Sequence, residues 1–346
     1  MPTPQENLLF VEQASCLFLR NEFIALLVRL YPQRLGDILH EHFAFSSAMN
    51  LSEKLQQVDR LKVWLDSFRP LSPTLVAELK KLYDVRFTYH SNALEGNTLT
   101  QRETELVLET GITVGGKTLR EHLEVIGHRD AIDYIETLMR SDTEIGEWEI
   151  KQIHNLIIRA IAPEEAGRYR QLLDVKAAGT EYLYPPDYLL SGLMPEFIQW
   201  LNDAKIRSLH PLEFAAEAHL RFVSIHPFRD GNGRTGRLLM NLLLLRAGYP
   251  IVIISNQVRA AYIDAIAEAQ QHGSGIHPLL DLIVDAARYS LIETLQILAT
   301  ASDSLGQGLP FYQEMLAVLQ QQSQELDENS LLINIQAPTA VDEDLM

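Results

Sequence analysis

Residues 238–245, Leu238-Leu239-Met240-Asn241-Leu242-Leu243-Leu244-Leu245, are apolar almost without interruption and follow directly on a turn rich in glycine and arginine. A helix that is hydrophobic nearly all round has to be buried on every side. It therefore needs a shell of other helices and becomes the axis of whatever fold forms. Asn241 interrupts the run and Arg246 ends it, far short of a membrane span.

The residues leading into that helix carry the chemistry: His226-Pro227-Phe228-Arg229-Asp230-Gly231-Asn232-Gly233-Arg234-Thr235-Gly236-Arg237. Gly231 and Gly233 let the backbone turn where a side chain would clash, so that successive N–H groups face one concavity. The helix that begins there adds its unpaired amides and the positive end of its dipole, which favours a bound phosphate. Arg234 and Arg237 are three apart, share a face of the first turn, and suit the forked grip of a polyphosphate. Asp230 is the only carboxylate of the loop and offers hard oxygen to Mg²⁺ riding on phosphates. His226 has an ordinary pKa near neutrality, as a general base requires. Taken alone, His226 reads as a buried structural histidine; the whole set together does not.

Order and spacing match H-P-F-x-D-G-N-G-R-x-x-R, the signature of the Fic (Fido) family, at every fixed position. The chain resembles that family, whose members typically move AMP from ATP onto a protein hydroxyl. The resemblance implies an all-α fold, a helical bundle around a buried central helix with a small β-hairpin flap. It implies ATP as substrate and Mg²⁺ on Asp230. His226 would take the proton from a Ser, Thr or Tyr hydroxyl of a target protein. Asn232 with the Gly231 and Gly233 amides would stabilise charge on the α-phosphate, and Arg234 and Arg237 would bind the outer phosphates.

A second motif lies upstream. The helical pattern Leu75, Leu79, Leu82, Val85, Tyr89 runs to Leu94-Glu95-Gly96-Asn97, with Gly96 placed to end the helix in a left-handed cap. Glu95 is then an anion in a last turn, where the helix dipole disfavours it by roughly 0.3–1 kcal/mol. It is either an ordinary exposed glutamate or one with a cation waiting elsewhere. Ser91 stands one turn earlier on the same face. Ser91-Asn92-Ala93-Leu94-Glu95-Gly96 is similar to the inhibitory motif of Fic proteins, in the class that carries it before the catalytic loop. That resemblance implies that Glu95 pairs with Arg237 in the place of a γ-phosphate, with Ser91 steadying the helix against the loop.

Residues 1–70 read as an N-terminal helical extension without chemistry. Residues 71–303 read as the Fic domain, with the inhibitory helix at about 74–96 and the catalytic loop at 226–237. Residues 304–346 read as an acidic helix and tail. Gly167-Arg168-Tyr169-Arg170 opens the one clear β signal. Leu173, Val175 and Ala177 alternate with polar residues, Gly179-Thr180 turns, and a second arm runs through Tyr182 and Tyr184 to Pro185-Pro186. By resemblance this is a flap that lines up the target segment by strand-like pairing. The resemblance also sets Tyr262 against the adenine, while Gln270 departs from the asparagine that relatives place nearby.

The net charge of −17 argues against a general nucleic-acid binder. No Lys or Arg follows Arg288, whereas nine Asp and Glu do, so the DNA-binding winged helix that many relatives carry at this end is not expected. Cys16 is the only cysteine, which points to a reducing compartment. With no basic segment ahead of an apolar core at the N-terminus, a cytoplasmic setting is expected. The partners expected are ATP and a target protein with a hydroxyl side chain, the chain itself included, with no DNA and no membrane; a homo-oligomer stays open. Two further readings also stay open. One is removal of AMP by hydrolysis through Glu95 and His226. The other is a nucleotide-sensing interaction module without turnover. Kinase chemistry, as in Doc-type relatives, is disfavoured because those carry lysine where Gly233 stands.

Overall fold

The structure, a computed structural model, describes residues 49–318 other than 142, 172–181, 273–274, 302–306, 309 and 316, together with Asp37 and Leu39. Its helices in chain order are α1 (Leu51–Ser67), α2 (Pro73–Leu94), α3 (Gln101–Thr110), α4 (Leu119–Met139) and α5 (Glu147–Ile158), then α6 (Leu190–Asn202), α7 (Pro211–Ile225), α8 (Asn232–Arg246), α9 (Arg259–His272) and α10 (His277–Thr300). The fold is all-α, as expected. The first arm and turn of the expected hairpin lie within 172–181, outside the described residues; Leu183 makes an isolated bridge. The helix expected from Phe311 is present over residues 310–315, and its continuation beyond 318 lies outside the described residues.

The chain forms two compact units. The larger comprises residues 43–62 and 73–294, with α8 at its centre. Residues 234–244 are buried without exception, and α8 packs against α2, α4, α5 and α7. Asn241, the polar break in the apolar run, is reconciled with burial by hydrogen bonds. Its Nδ2 donates to the carbonyls of Arg237 (3.1 Å) and Val252 (3.0 Å), and its Oδ1 accepts from Val252 N–H at 2.7 Å. Close approach of neighbouring helices depends on missing side chains. A Cβ at Gly236 in α8 would lie 2.9 Å from His219 Nδ1 in α7, and one at Gly127 in α4 would lie 2.7 Å from the Leu156 carbonyl in α5.

Helix starts follow local chemistry. Thr100 with Glu103, and Thr118 with Glu121, form reciprocal capping boxes at α3 and α4. Pro211 stands at the first position of α7, where its missing N–H is no loss. Helix α2 is fixed along its length: Tyr83 Oη bonds Thr294 Oγ1 at 2.6 Å, and Lys80 Nζ lies within 3.0 Å of Asp84, Asp133 and Glu136. In the smaller unit, residues 1–42, 63–72 and 295–346, an aromatic cluster of Trp64, Phe68, Phe311 and Tyr312 has ring centroids 5.2–5.8 Å apart.

Candidate active site

Helix α7 ends at His226, whose φ of 50° and ψ of 57° are left-handed; it is the only non-glycine residue with positive φ among the described residues. Such a cap position usually takes glycine, so the strain of about 1–2 kcal/mol is concentrated at the residue expected to act as base. The strain is held in place by Arg170. Arg170 donates from its backbone N–H to the Pro227 carbonyl (2.9 Å) and from Nε to the His226 carbonyl (2.8 Å). The His226 ring stacks on Tyr184 at 3.8 Å. Burial pushes its imidazole down to about 4 against the pull of the Val223 carbonyl, so the ring is neutral at pH 7 rather than poised near neutrality as the sequence leads one to expect.

Phe228 is fully buried and stacks face to face on His154 of α5, 3.6 Å apart and 2° from parallel. His154 Nδ1 accepts from Gly167 N–H at 3.0 Å, which leaves the proton on Nε2 to donate to the Asp230 carbonyl at 3.0 Å. Burial pushes this imidazole down to about 4 as well, in keeping with a fixed neutral tautomer. His154 thus ties Gly167 to the loop. This contact is not legible in the chain, because a single histidine among Ile150, Ile153 and Ile157 has the pattern of an ordinary core position.

The turn itself is made by Gly231 alone (φ 78°). Gly233 lies inside α8 with ordinary helical backbone, so its expected role as a turn glycine is corrected: what it provides is space. A Cβ there would lie 2.3 Å from Glu95 Oε1 and 3.0 Å from Arg237 Nη1. Asn232 also differs from expectation. Its Oδ1 accepts from Phe228 N–H (2.9 Å) and its Nδ2 donates to the Phe228 carbonyl (2.8 Å), so its side chain is engaged in closing the loop. What it can offer a phosphate is its backbone N–H at the helix start.

Arg237 is buried and gripped from α2: its Nε donates to Ser91 Oγ (3.0 Å), and Nη2 donates to the Ser91 carbonyl (2.8 Å) and to Glu95 Oε1 (2.7 Å). Glu95 reaches it because α2 ends in a Schellman motif, with Asn97 N–H on the Asn92 carbonyl, Gly96 N–H on Ala93, and Gly96 at φ 97°. That motif makes Glu95 the C-cap residue and points it over the start of α8. Burial would raise the Glu95 carboxyl, but the Arg237 and Arg234 charges outweigh it and hold the group below the usual carboxylate range. Arg234 is equally buried. Its Nη2 lies 3.3 Å from Asp230, its Nη1 pairs with Glu124 only at 3.7 Å, and neither Nε nor Nη1 makes a hydrogen bond. Two buried guanidinium donors are thus without a hydrogen-bond partner, as an anion would supply.

Asp230 is half exposed at the mouth of the loop, taking Arg120 Nη2 at 2.8 Å on Oδ2 and Gly231 N–H at 2.6 Å on Oδ1. Burial opposes ionisation, yet Arg234, the Gly231 N–H and Arg120 keep the carboxyl below its ordinary value. A half-exposed ionised carboxylate fits Mg²⁺, which is held by one or two carboxylates together with phosphates and water. Tyr262, expected against an adenine, is instead 4% exposed with its hydroxyl 2.7 Å from His219 Nε2, and so sits in the floor beneath Arg237 rather than offering a free ring face. Gln270 donates to Ser224 Oγ at 3.1 Å.

Fold and site together define an all-helical protein whose buried central helix opens in a loop bearing two buried arginines, with a neutral histidine just ahead of it. Residues 144–244 match the model of the Fic/DOC family. The "Protein adenylyltransferase Fic" of Drosophila persimilis is 38% identical over 257 residues, 74% of this chain and 49% of that protein. A solved chain of Fic-1 from C. elegans (amino acids 134–508, with one glutamate replaced by glycine) is 31% identical with a TM-score of 0.61, covering 69% of this chain and 70% of that one. A Fic domain containing signaling protein from Bacteroides thetaiotaomicron is 28% identical with a TM-score of 0.63, covering 70% of this chain and 96% of that one. The chain belongs to the Fic family. It spans about half the length of the curated relatives it matches. No helix among the described residues is long and apolar enough to cross a membrane.

Proposed function

We propose that this chain transfers AMP from ATP to a Ser, Thr or Tyr hydroxyl of a protein, itself included, and that Glu95 restrains it. The observation that carries the reading is the contrast between the two buried arginines at the head of α8. Arg237 is occupied by a carboxylate of the chain itself, while Arg234 presents unbonded donors beside it. Relatives named protein adenylyltransferase support ATP as the donor and a protein as the acceptor.

In the proposed reaction the neutral His226 takes the proton of the target hydroxyl. The hydroxyl oxygen bonds to the α-phosphorus, the bond from that phosphorus to the β-phosphate's bridging oxygen breaks, and pyrophosphate departs. The amides of Asn232 and Gly233 at the helix start, with the dipole behind them, stabilise charge on the α-phosphate. Arg234 and Arg237 hold the outer phosphates, the latter only once Glu95 has left. Asp230 would hold Mg²⁺, which neutralises phosphate charge and leaves the β- and γ-phosphates a better leaving group. The partners in this reading are ATP, Mg²⁺ and an acceptor protein in the cytoplasm.

One observation favours a second reading. Glu95 is ionised, with its side chain 38% exposed within the site, as a carboxylate that positions water for removal of AMP would have to be. The deciding experiment is incorporation of α-labelled ATP by wild type, Glu95→Gly and Glu95→Gly/His226→Ala, with release of label from pre-modified protein followed in parallel. Strong labelling by the single variant alone is expected, with ATP binding retained in the double variant. Transfer unaffected by His226→Ala would overturn the base assignment. Release by wild type without labelling by any form would favour hydrolysis.

A further inference from the structure

Each of the two anions at the mouth of the site is matched by an arginine. Glu95 has Arg237, whereas Asp230 has Arg120, which comes from the first turn of α4, outside the loop. Arg120 Nη2 donates to Asp230 Oδ2 at 2.8 Å, and Arg234 and the Gly231 N–H take the other oxygen. Oδ2 is thus the oxygen on which an external cation would seat, and the Arg120 guanidinium is already bonded to it.

Arg120 is held in that place. Its Nε donates to Glu124 Oε1 at 3.1 Å, one helical turn on. The other oxygen of Glu124 accepts from Asn97 Nδ2 at 2.9 Å, and Asn97 lies in the turn that presents Glu95. The Glu124 side chain is only 12% exposed, so it is a fixed post between the Asp230 clasp and the Glu95 turn. Arg120 itself is 58% exposed, so its guanidinium can swing into water without uncovering any core.

We propose that Arg120 is a resident counter-cation on Asp230, which a divalent cation must displace before it can bind with the nucleotide. The inference rests on the nucleotide-binding reading given above. The resting site then carries two plugs of opposite sign. Glu95 stands where an outer phosphate goes, and Arg120 stands where the cation goes. A fully assembled metal–nucleotide complex removes both, whereas free nucleotide or free cation removes only one. An exposed ion pair of this kind is modest in strength, so the handicap on the cation amounts to about two- to fivefold in affinity.

The test is the ratio of ATP affinity in excess Mg²⁺ to that in excess EDTA, read by calorimetry on the full chain in the Glu95→Gly background. Adding Arg120→Ala should raise that ratio by about two- to fivefold. Arg120→Lys, which keeps the charge, should leave it near the parent value. In Asp230→Ala the effect of Arg120→Ala should vanish. A ratio unchanged or lowered by Arg120→Ala, with ATP still bound, overturns the inference alone. Equal loss of affinity in both media would mark Arg120 as a phosphate ligand and also overturns it. No ATP binding by Glu95→Gly in either medium would bring down the nucleotide-binding reading itself and the inference with it.

Discussion

Gly233 shows how one absent methyl group can set the state of a site. Its backbone is helical, so alanine would suit its conformation and add up to about 1 kcal/mol of helix stability. The obstacle is Glu95 Oε1, 2.3 Å from where that carbon would be. Gly233→Ala should therefore lower the melting temperature of the wild type by more than that of Glu95→Gly, where only the 3.0 Å approach to Arg237 Nη1 remains, and a thermal double-mutant cycle measures the difference. Equal effects in the two backgrounds would show that Glu95 is not what Gly233 makes room for. From the sequence, the loop residues were legible because their chemistry is local: a turn glycine, an in-phase arginine pair, one histidine and one carboxylate within twelve positions. Gly233, Asn232 and Tyr262 were assigned differently because their surroundings come from Glu95, Phe228 and His219, and no spacing in the chain encodes those contacts.

On the level of elements, α2 carries Glu95 at a tip shaped by its C-terminal cap. The Schellman closure needs Gly96 at φ 97°, a conformation that costs an L-residue about 1–2 kcal/mol. Gly96→Ala should fray the last turn, loosen Glu95 from Arg237 and, under the function proposed above, raise basal AMP transfer. The check is labelling with α-labelled ATP at unchanged far-UV circular dichroism; transfer at the wild-type rate with a lowered melting temperature would leave the cap a purely structural feature. The end of α2 was readable because glycine caps announce themselves. The burial of α8 was readable from its apolar run. What held α2 in place was not, since Lys80 with Asp133 and Glu136, and Tyr83 with Thr294, join residues far apart in the chain.

For the molecule as a whole, buried titratable groups set its response to acid. His154 and His219 are pushed down to about 4 by burial, while in the unfolded chain they titrate near 6.5. The unfolded state therefore binds more protons between those values, and stability is intact above about 6.5 and lost as pH falls toward 4, by at most about 3 kcal/mol per histidine. Asp84 acts in the opposite sense. Burial raises it to about 6 despite Lys80, so its contribution is present at low pH and fades as pH rises through 6. Denaturant midpoints followed from pH 7 to pH 4 should fall, with His154→Gln and His219→Gln each flattening the slope; a flat wild-type profile would contradict the buried neutral assignment. Arg237 sets the remaining response. Sunk to 2% exposure, it requires an anion, and the chain supplies its own in Glu95. In folding terms Glu95 is a tethered ligand, already bound at every concentration. Once it is removed, stability becomes a matter of mass action, growing as the logarithm of free anion. Tripolyphosphate at constant ionic strength should accordingly raise the melting temperature of Glu95→Gly while scarcely moving the wild type, so that the released form is one whose very foldedness reports the polyphosphate around it.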